Sequence, residues 1–370
     1  IMLKYRIKEA TFEDLKNIML NMASKEGWDY TEEDVEAFYT INKKNIHCLW
    51  NVDVEGGTLI GCAMVTRYDY DERDDPKEVD TLVSVGLFII EEQHRRNGFG
   101  TQLLEYVYDK YIKEKPRTRG VLNSVPGTRS FYQQKGFHSV EDLSNVSFWL
   151  EEIPKEFLLS RKVRELRSDD QVAVDGYEST LFKRDAAKRR LFTMRWLSRA
   201  DSKLIGYFED KTLAGYGMMT MCKKIKGKTN SDDTHVYRLS PVYANTIEVA
   251  GALLKTFMME ASQSSNNYGK VSIVLNAFAG KNSITNSNLL QTLGFVKREG
   301  HETYPMVTDE SVTFNIDPRV VAVSPLEFPN EAVFGLRDNS PPRVDSRCTS
   351  PDYDRSPSKE INSGPGSSAK

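Results

Sequence analysis

The sequence predicts an α/β (α+β) protein with two tandem domains, each a mixed central sheet flanked by helices, followed by a disordered tail. Three observations lead to this prediction. Strand-like and helix-like segments alternate, their order occurs twice at a spacing of about 150 residues, and the end of the chain loses its apolar residues. We expect a first domain over 1–160, a second over 161–312, and a linker and tail over 313–370.

The first half of the chain shows the complete order of segments. Residues 3–10 alternate in the manner of a strand, and two helices follow. Each helix begins with a capping box, formed by Thr11 with Asp14 and by Thr31 with Asp34. The later segments are strands at 47–54, 58–67 and 82–89, a helix at 98–112, a strand near 121 and a short helix that includes 132.

The second half repeats this order. Its segments are a strand at 162–167, two helical stretches after 170, strands at 203–209, 212–222 and 236–239, a helix at 248–262, and a strand at 271–276. The dipeptides Gly136-Phe137 and Gly294-Phe295 close the two units. A duplicated domain is the simplest explanation.

Composition and charge exclude several classes of protein. The 370 residues include 50 basic and 53 acidic side chains, and this balance removes the usual signature of a nucleic-acid binder. The longest nearly apolar stretch, 82–90, is far shorter than the roughly 20 residues that cross a bilayer, and the N-terminal segment has no signal-peptide core. We therefore expect no membrane partner and a cytoplasmic or nuclear location. Four cysteines without C-x-x-C spacing indicate neither a disulfide framework nor a metal site.

The near neutrality of the chain conceals a division between its parts. Residues 1–160 carry 20 basic and 28 acidic side chains, whereas residues 161–312 carry 23 and 17. An acidic first half and a basic second half are expected to attract each other. After about residue 337, Ser, Pro, Gly and charged residues dominate, which is typical of a disordered tail.

The clearest chemical motif is the run Arg95-Arg96-Asn97-Gly98-Phe99-Gly100, between the apolar strand and a helix. A loop that enters a helix offers free N–H groups and the positive end of the helix dipole, which suit a phosphate. Two glycines let a pyrophosphate approach the main chain, and two arginines add positive charge. By itself the pattern is equally typical of an ordinary helix start.

A second motif supports the phosphate interpretation. Asn123 and the run Phe131-Tyr132-Gln133-Gln134-Lys135-Gly136-Phe137 follow the first motif, so that R-x-x-G-x-G precedes Y-x-x-x-G-F by about 30 residues. This combination resembles the GNAT N-acetyltransferase superfamily. Glu26-Gly27-Trp28, followed by Asp34 and Phe38, is similar to the start of tandem members, in which a GNAT domain precedes a divergent GNAT-like domain. The resemblance covers about residues 3 to 310.

The resemblance implies acetyl-CoA as co-substrate and assigns roles to individual residues. The strand that ends at Ile89 would splay from its neighbour and bind the pantetheine arm, Tyr132 would protonate the departing thiolate, and Trp28 would line the acceptor pocket. The cofactor-binding residues implied are Leu87, Phe88, Ile89, Arg95, Arg96, Asn97, Gly98, Phe99, Gly100, Thr101 and Asn123. The general base stays open, and its candidates are Asp80, Glu91, Glu92 and His94, acting directly or through water.

The second half lacks the same chemistry. Aligning Leu253-Leu254 with Leu103-Leu104 places Asn245 at Arg95, Glu248 at Gly98 and Ala250 at Gly100, and aligning the two Gly-Phe dipeptides places Leu290 at Tyr132. A carboxylate at the pyrophosphate position would repel the ligand. We expect a degenerate second half that completes the acceptor pocket, binds a different ligand, or pairs with the first as an intramolecular pseudo-dimer.

The sequence therefore favours an acetyl-CoA-dependent N-acetyltransferase. The acceptor would be the primary amine of a small molecule, attacking the thioester directly. Two alternatives stay open, a non-catalytic acyl-CoA sensor or interaction module and a protein N-acetyltransferase.

Overall fold

The computed structural model describes residues 4–53, 55–69, 81–115, 118–154, 158–182, 186–226, 233–264, 270–279, 288–309 and 317–323. These residues belong to one compact unit, Ile1–Leu336. The tail expected after about residue 337, and the base candidate Asp80, lie outside the described residues.

The strands in the described part of the chain are β1 (Tyr5–Glu9), β2 (Ile46–Asn51), β3 (Thr58–Tyr68), β4 (Thr81–Ile90), β5 (Thr118–Ser124), β6 (His138–Ser139), β7 (Ser144–Leu150), β8 (Val163–Glu165), β9 (Ser202–Glu209), β10 (Thr212–Ile225), β11 (Thr234–Ala244), β12 (Lys270–Ala279), β13 (Val296–Lys297), β14 (Tyr304–Val307) and β15 (Val320–Ala322). The α-helices there are α1 (Phe12–Asn17), α2 (Ala23–Lys25), α3 (Glu32–Asn42), α4 (Phe99–Tyr111), α5 (Arg129–Gln133), α6 (Gln171–Leu181), α7 (Ala186–Leu197), α8 (Ile247–Ser264) and α9 (Leu289–Thr292). A π-helical turn, Ile18–Met22, joins α1 to α2.

Both predicted capping boxes are confirmed at the starts of α1 and α3. The Asp14 N–H donates to Thr11 Oγ1 over 3.1 Å, and the Thr11 N–H donates to Asp14 Oδ2 over 2.9 Å. Thr31 and Asp34 form the same reciprocal pair. These local bonds fix the two helix starts, because each satisfies N–H groups that the helix leaves free.

The strands form two mixed sheets, which confirms the predicted fold class. Sheet 1 has the order β1-β2-β3-β4-β5-β14-β6, and sheet 2 has the order β13-β7-β12-β11-β10-β9-β8, with β15 paired to β11. Among the described strands, the β4–β5 pair of sheet 1 and the β11–β12 pair of sheet 2 are parallel, and the other pairs are antiparallel.

The two sheets exchange strands. β14, from the end of the second sequence repeat, lies between β5 and β6 of sheet 1, and β7, from the first repeat, lies between β12 and β13 of sheet 2. The boundaries at 160 and 312 thus divide the sequence repeat but not the sheets. The expectation that everything beyond 312 is linker or tail is corrected for residues 317–323, because β15 pairs with β11 and its residues are buried.

The central core joins the two halves. Its buried residues from the first half include Leu15, Met19, Phe38 and Cys62, and those from the second include Tyr177, Phe192, Tyr216 and Tyr243. Phe38 of α3 packs on Phe192 of α7 with ring centroids 6.0 Å apart. Two separate clusters lie under α4 and under α8, on the outer faces of the sheets.

The duplication is visible in strand register. Gly61 pairs with Ile90 and Val65 with Val85, and 154 residues later Gly215 pairs with Ala244 and Met219 with Leu239. In both halves a bulge interrupts the ladder between these two pairs. The bulges place irregular backbone at the same point of each sheet, which in the first half is the candidate site.

Candidate active site

The first feature of the site is a cleft between β4 and β5. Their parallel pairing runs from Thr81–Thr118 to Val85–Leu122 and stops there, because β5 continues with β14 as its partner. Beyond this point the bulge in β4 holds Leu87 at a φ of +44°. The backbone of residues 87–89, facing β5, is therefore outside the β4–β5 ladder.

The second feature is the start of α4. Gly98 is the N-cap residue of the helix, with a φ of +82°, and it has no side chain that could cap the first turn. A Cβ on Gly98 would meet no atom within 4 Å, and the left-handed backbone is what favours glycine there. A Cβ on Gly100 would make ordinary contacts, 3.7 Å from Ile90 Cγ1. The protein itself does not need a glycine at position 100.

The side chain of Arg95 is tied down. Its Nε donates to the Ile90 carbonyl over 2.8 Å, and its guanidinium pairs with Glu26. Arg96 is exposed and has a φ of +63°. The Asn97 amide lies 3.3 Å from the Arg95 carbonyl as a donor within the loop. Arg95 thus connects the loop to β4 and to Glu26, which lies two residues before Trp28.

The Phe99 side chain of this motif is directed into the core. Phe99 is buried, and its ring packs edge-on against Tyr5 and His94. Thr101 is half-buried in the first turn of α4. Phe99 therefore anchors α4 to the core, and only backbone groups at this position can reach a ligand.

The third feature is an aromatic cluster around Tyr132. The Tyr132 ring lies 6.0 Å from Phe88 of the bulge, 5.0 Å from Phe131 and 6.2 Å from Phe137, between ring centroids. Burial raises the pKa of the Tyr132 hydroxyl well above its usual range. The structure thus places Tyr132 beside the irregular part of β4.

Asn123 adds an unsatisfied group on β5. Its Oδ1 is buried and has no hydrogen-bond partner among the described residues. A buried acceptor that has no partner in the protein is free to accept a hydrogen bond from a water or a ligand. Because Asn123 immediately follows the last residue that pairs with β4, this acceptor lies at the cleft.

The acceptor-side candidates are partly brought together. Trp28 is half-buried and packs on the central core. Glu91 accepts a hydrogen bond from Gln93 over 2.9 Å and lies 3.9 Å from His94 Nε2 and 3.9 Å from Lys25. Glu92 is exposed. Choosing the base among these residues stays a prediction.

The equivalent helix start in the second half is built differently. Eight residues, 91–98, separate β4 from α4, whereas two residues, Asn245 and Thr246, separate β11 from α8. The expected alignment of Asn245 with Arg95 is therefore wrong, because the loop that carries the arginines is absent. Thr246 Oγ1 accepts the Val249 N–H over 3.3 Å. The pKa of Glu248 is lowered by hydrogen bonds from the Glu248 N–H and from the Thr246 side chain. This helix start is capped by the chain itself.

The equivalent cleft in the second half is filled. The β11–β12 ladder stops at Leu239–Leu275, as the β4–β5 ladder stops at Val85–Leu122. β15 enters the opening, pairing with Val242 and Tyr243 of β11, while the Val323 N–H donates to the Asn276 carbonyl of β12 over 2.9 Å. Leu290, which aligns with Tyr132, is a buried apolar residue of α9.

In the described part of the chain, no group of three or more His, Cys, Asp or Glu residues is placed to hold a metal ion. None of its helices combines the length and the apolar character that a membrane span requires.

Residues 45–139 match the family model of the acetyltransferase (GNAT) domain. Among solved structures, a protein from Pyrococcus horikoshii assigned as an acetyltransferase is 14% identical, with 86% of this chain and 94% of that chain covered and a TM-score of 0.57. A tandem GNAT protein from the clavulanic acid biosynthesis pathway is 14% identical, with 82% and 98% covered and a TM-score of 0.51.

A GCN5-related N-acetyltransferase from Anabaena variabilis is 11% identical, with 85% of this chain and 77% of that chain covered and a TM-score of 0.51. No curated protein sequence matches the chain significantly. The fold is that of tandem GNAT-like domains. The first half of this chain, over residues 45–139, is thus similar to a GNAT acetyltransferase domain.

Proposed function

We propose that this protein is an acetyl-CoA-dependent N-acetyltransferase with one active site per chain, acting on the primary amine of a small molecule. The observation that carries the proposal is the meeting of three features at the β4 bulge. These are the uncapped start of α4, the unsatisfied Asn123 Oδ1 and the Tyr132 hydroxyl. The filled cleft of the second half supports the stoichiometry.

The residues of the cleft fit acetyl-CoA. The free N–H groups from Gly98 to Thr101 suit the pyrophosphate, because they sit at the positive end of the α4 dipole. The backbone of 87–89 is available to the pantetheine arm, and Asn123 Oδ1 is an acceptor for an amide N–H. When bound, acetyl-CoA supplies a thioester carbonyl and a thiolate leaving group.

Transfer would be direct. The neutral amine attacks the thioester carbonyl carbon, so that a C–N bond forms and the C–S bond breaks. The Tyr132 hydroxyl gives its proton to the departing sulfur, and the proton lost by the amine passes to a base, for which Glu91, Glu92 and His94 are candidates. Cys48 and Cys62 are both fully buried in the central core, which supports transfer without an acyl-enzyme.

Calorimetry and product analysis test this proposal together. Titration with acetyl-CoA is expected to give one site per chain, and incubation with a panel of amines is expected to give an acetylated product and free CoA. Binding without any acetylated amine would support the acyl-CoA sensor instead. Acetylation confined to peptide amino groups would contradict the small-molecule acceptor, and two binding sites would contradict the degenerate second half.

A further inference from the structure

The loop Glu26–Thr31, which we call the acceptor loop, carries Trp28 and is held at both ends. At one end Glu26 pairs with Arg95 of the candidate pyrophosphate loop. At the other end, side chains of the second half bind Asp29. Arg238 Nη1 donates to the Asp29 carbonyl over 2.8 Å, and Lys223 Nζ lies 2.7 Å from Asp29 Oδ2.

Behind this loop lies a buried ionic centre at Asp34. Arg238 Nη2 donates to Asp34 Oδ2 over 2.8 Å, and Arg199 Nη1 donates to Asp34 Oδ1 over 2.7 Å. Arg199 also pairs with Asp201 through two nitrogens, and Thr31 donates its hydroxyl to the same Asp201 over 2.6 Å. The capping box of α3 is thus clamped by side chains of the second half.

Charge keeps the buried Asp34 carboxylate ionised, and its arginine partners contact it in a fixed geometry. Burial alone would raise the pKa of Asp34, but the guanidinium groups of Arg238 and Arg199 hold it at about 2. One arginine, Arg238, joins the Asp34 carboxylate to the Asp29 carbonyl, and so couples the helix start to the acceptor loop. A single ammonium group cannot reproduce this fork, because its donors radiate from one nitrogen.

We propose that Arg238 is a positioning residue, which sets the place of the acceptor loop and of Trp28 against the amine substrate. This assignment rests on the proposed function. It gives the degenerate half a role in the reaction of the active half, because the second domain supplies one fixed wall of the acceptor pocket. Arg199 supports Arg238 by sharing the Asp34 carboxylate.

The test compares Arg238→Lys with Arg189→Lys. Arg189 is another buried arginine of the second half and pairs with Glu178 through two nitrogens, and Glu178 in turn accepts from the Tyr216 hydroxyl. For Arg238→Lys we expect the KM for the amine to rise about tenfold, with kcat and the Kd for acetyl-CoA within about twofold of the parent. For Arg189→Lys we expect the amine KM to be unchanged.

Hydrogen exchange provides a readout that does not depend on activity. We expect the amides of residues 26–31 to exchange about tenfold faster in Arg238→Lys and at the parental rate in Arg189→Lys. If Arg238→Lys does not fold, Lys223→Met, which frees only the Asp29 carboxylate, is expected to give a smaller change of the same kind.

The outcomes separate the two proposals. Unchanged exchange in the acceptor loop, or faster exchange with an unchanged amine KM, overturns the positioning role. A parent protein that binds acetyl-CoA and acetylates no amine overturns the proposed function, and the exchange comparison then decides by itself whether the second half holds the loop.

Discussion

At the scale of single residues, the Tyr132 hydroxyl determines the proton balance of the proposed reaction. Burial raises its pKa above the ordinary value of about 10, so the hydroxyl keeps its proton at neutral pH. We expect Tyr132→Phe to lower kcat about a hundredfold and to leave the Kd for acetyl-CoA unchanged, because the ring contacts are kept.

The matched control is Tyr177→Phe in α6. The Tyr177 hydroxyl is likewise buried, and it has no partner among the described residues. Steady-state kinetics and calorimetry on both variants make the comparison. Equal kcat values for Tyr132→Phe and the parent across the pH range would remove Tyr132 as the acid.

The glycines at the loops allow a second comparison of single residues. Gly98 and Gly56 both have a φ of +82°, and neither has an atom within 4 Å of an added Cβ. Glutamate at either position should cost about 1 kcal/mol of folding free energy through backbone strain. Only Gly98→Glu should abolish acetyl-CoA binding, because only there does the carboxylate face the candidate pyrophosphate. Calorimetry measures acetyl-CoA binding and urea unfolding measures stability. Equal acetyl-CoA binding by both variants would disprove the assignment of the pyrophosphate site to the start of α4.

At the scale of elements, β15 closes the second cleft with apolar side chains. Val321 is 1% exposed and lies in the core under α8, whereas Val172 on α6 is 80% exposed. Val321→Thr buries a hydroxyl in that core and should lower the unfolding free energy by about 1–3 kcal/mol. The control Val172→Thr should change it little, and both variants should still bind one acetyl-CoA. An unchanged stability for Val321→Thr in urea would show that β15 adds nothing to sheet 2.

The elements that depend on local patterns could be predicted from sequence. Capping boxes, alternation and the apolar run before the glycines locate β1, α3, β4 and α4 within two residues or so. The partners of β7 and β14 could not be predicted, because Leu150 pairs with Ile273 and Tyr304 pairs with Ser124, and no local pattern encodes so distant a choice.

The candidate site divides in the same way. The positions of Gly98, Gly100 and Tyr132 could be predicted from sequence, because these residues occur at fixed spacings from a helix start and from a Gly-Phe turn. The two arginines on Asp34 could not, because they lie 165 and 204 residues away from it in the chain. Asp34 looked like a simple capping residue, and only the fold reveals its second role.

At the scale of the whole molecule, opposite charges join the halves. Acidic groups of the first half, Asp29, Glu33 and Asp34, pair with basic groups of the second, and this agrees with the expected attraction between them. The basic partners are Lys223, Arg195, Arg199 and Arg238.

This arrangement predicts how stability depends on acid. The folded pKa of Asp34, about 2, lies below the unfolded value of about 3.9. Its contribution, on the order of 2–3 kcal/mol, is therefore complete above about pH 4 and is lost as the pH falls toward 2. Urea unfolding at a series of pH values measures this loss. Stability that stays constant between pH 5 and pH 2.5 would contradict the proposed balance of charges.

The exchange of β7 and β14 also determines when, during synthesis on the ribosome, the catalytic half can finish folding. Tyr304 of β14 follows its partner Ser124 by 180 residues, so β5 leaves the ribosome long before the strand that covers its edge exists. Likewise, β7 cannot form its ladder with β12 until β12 has been translated. The sheet of the first half is thus completed only after Tyr304–Val307 have been translated, and we expect nascent chains to bind acetyl-CoA only after Val307 has emerged.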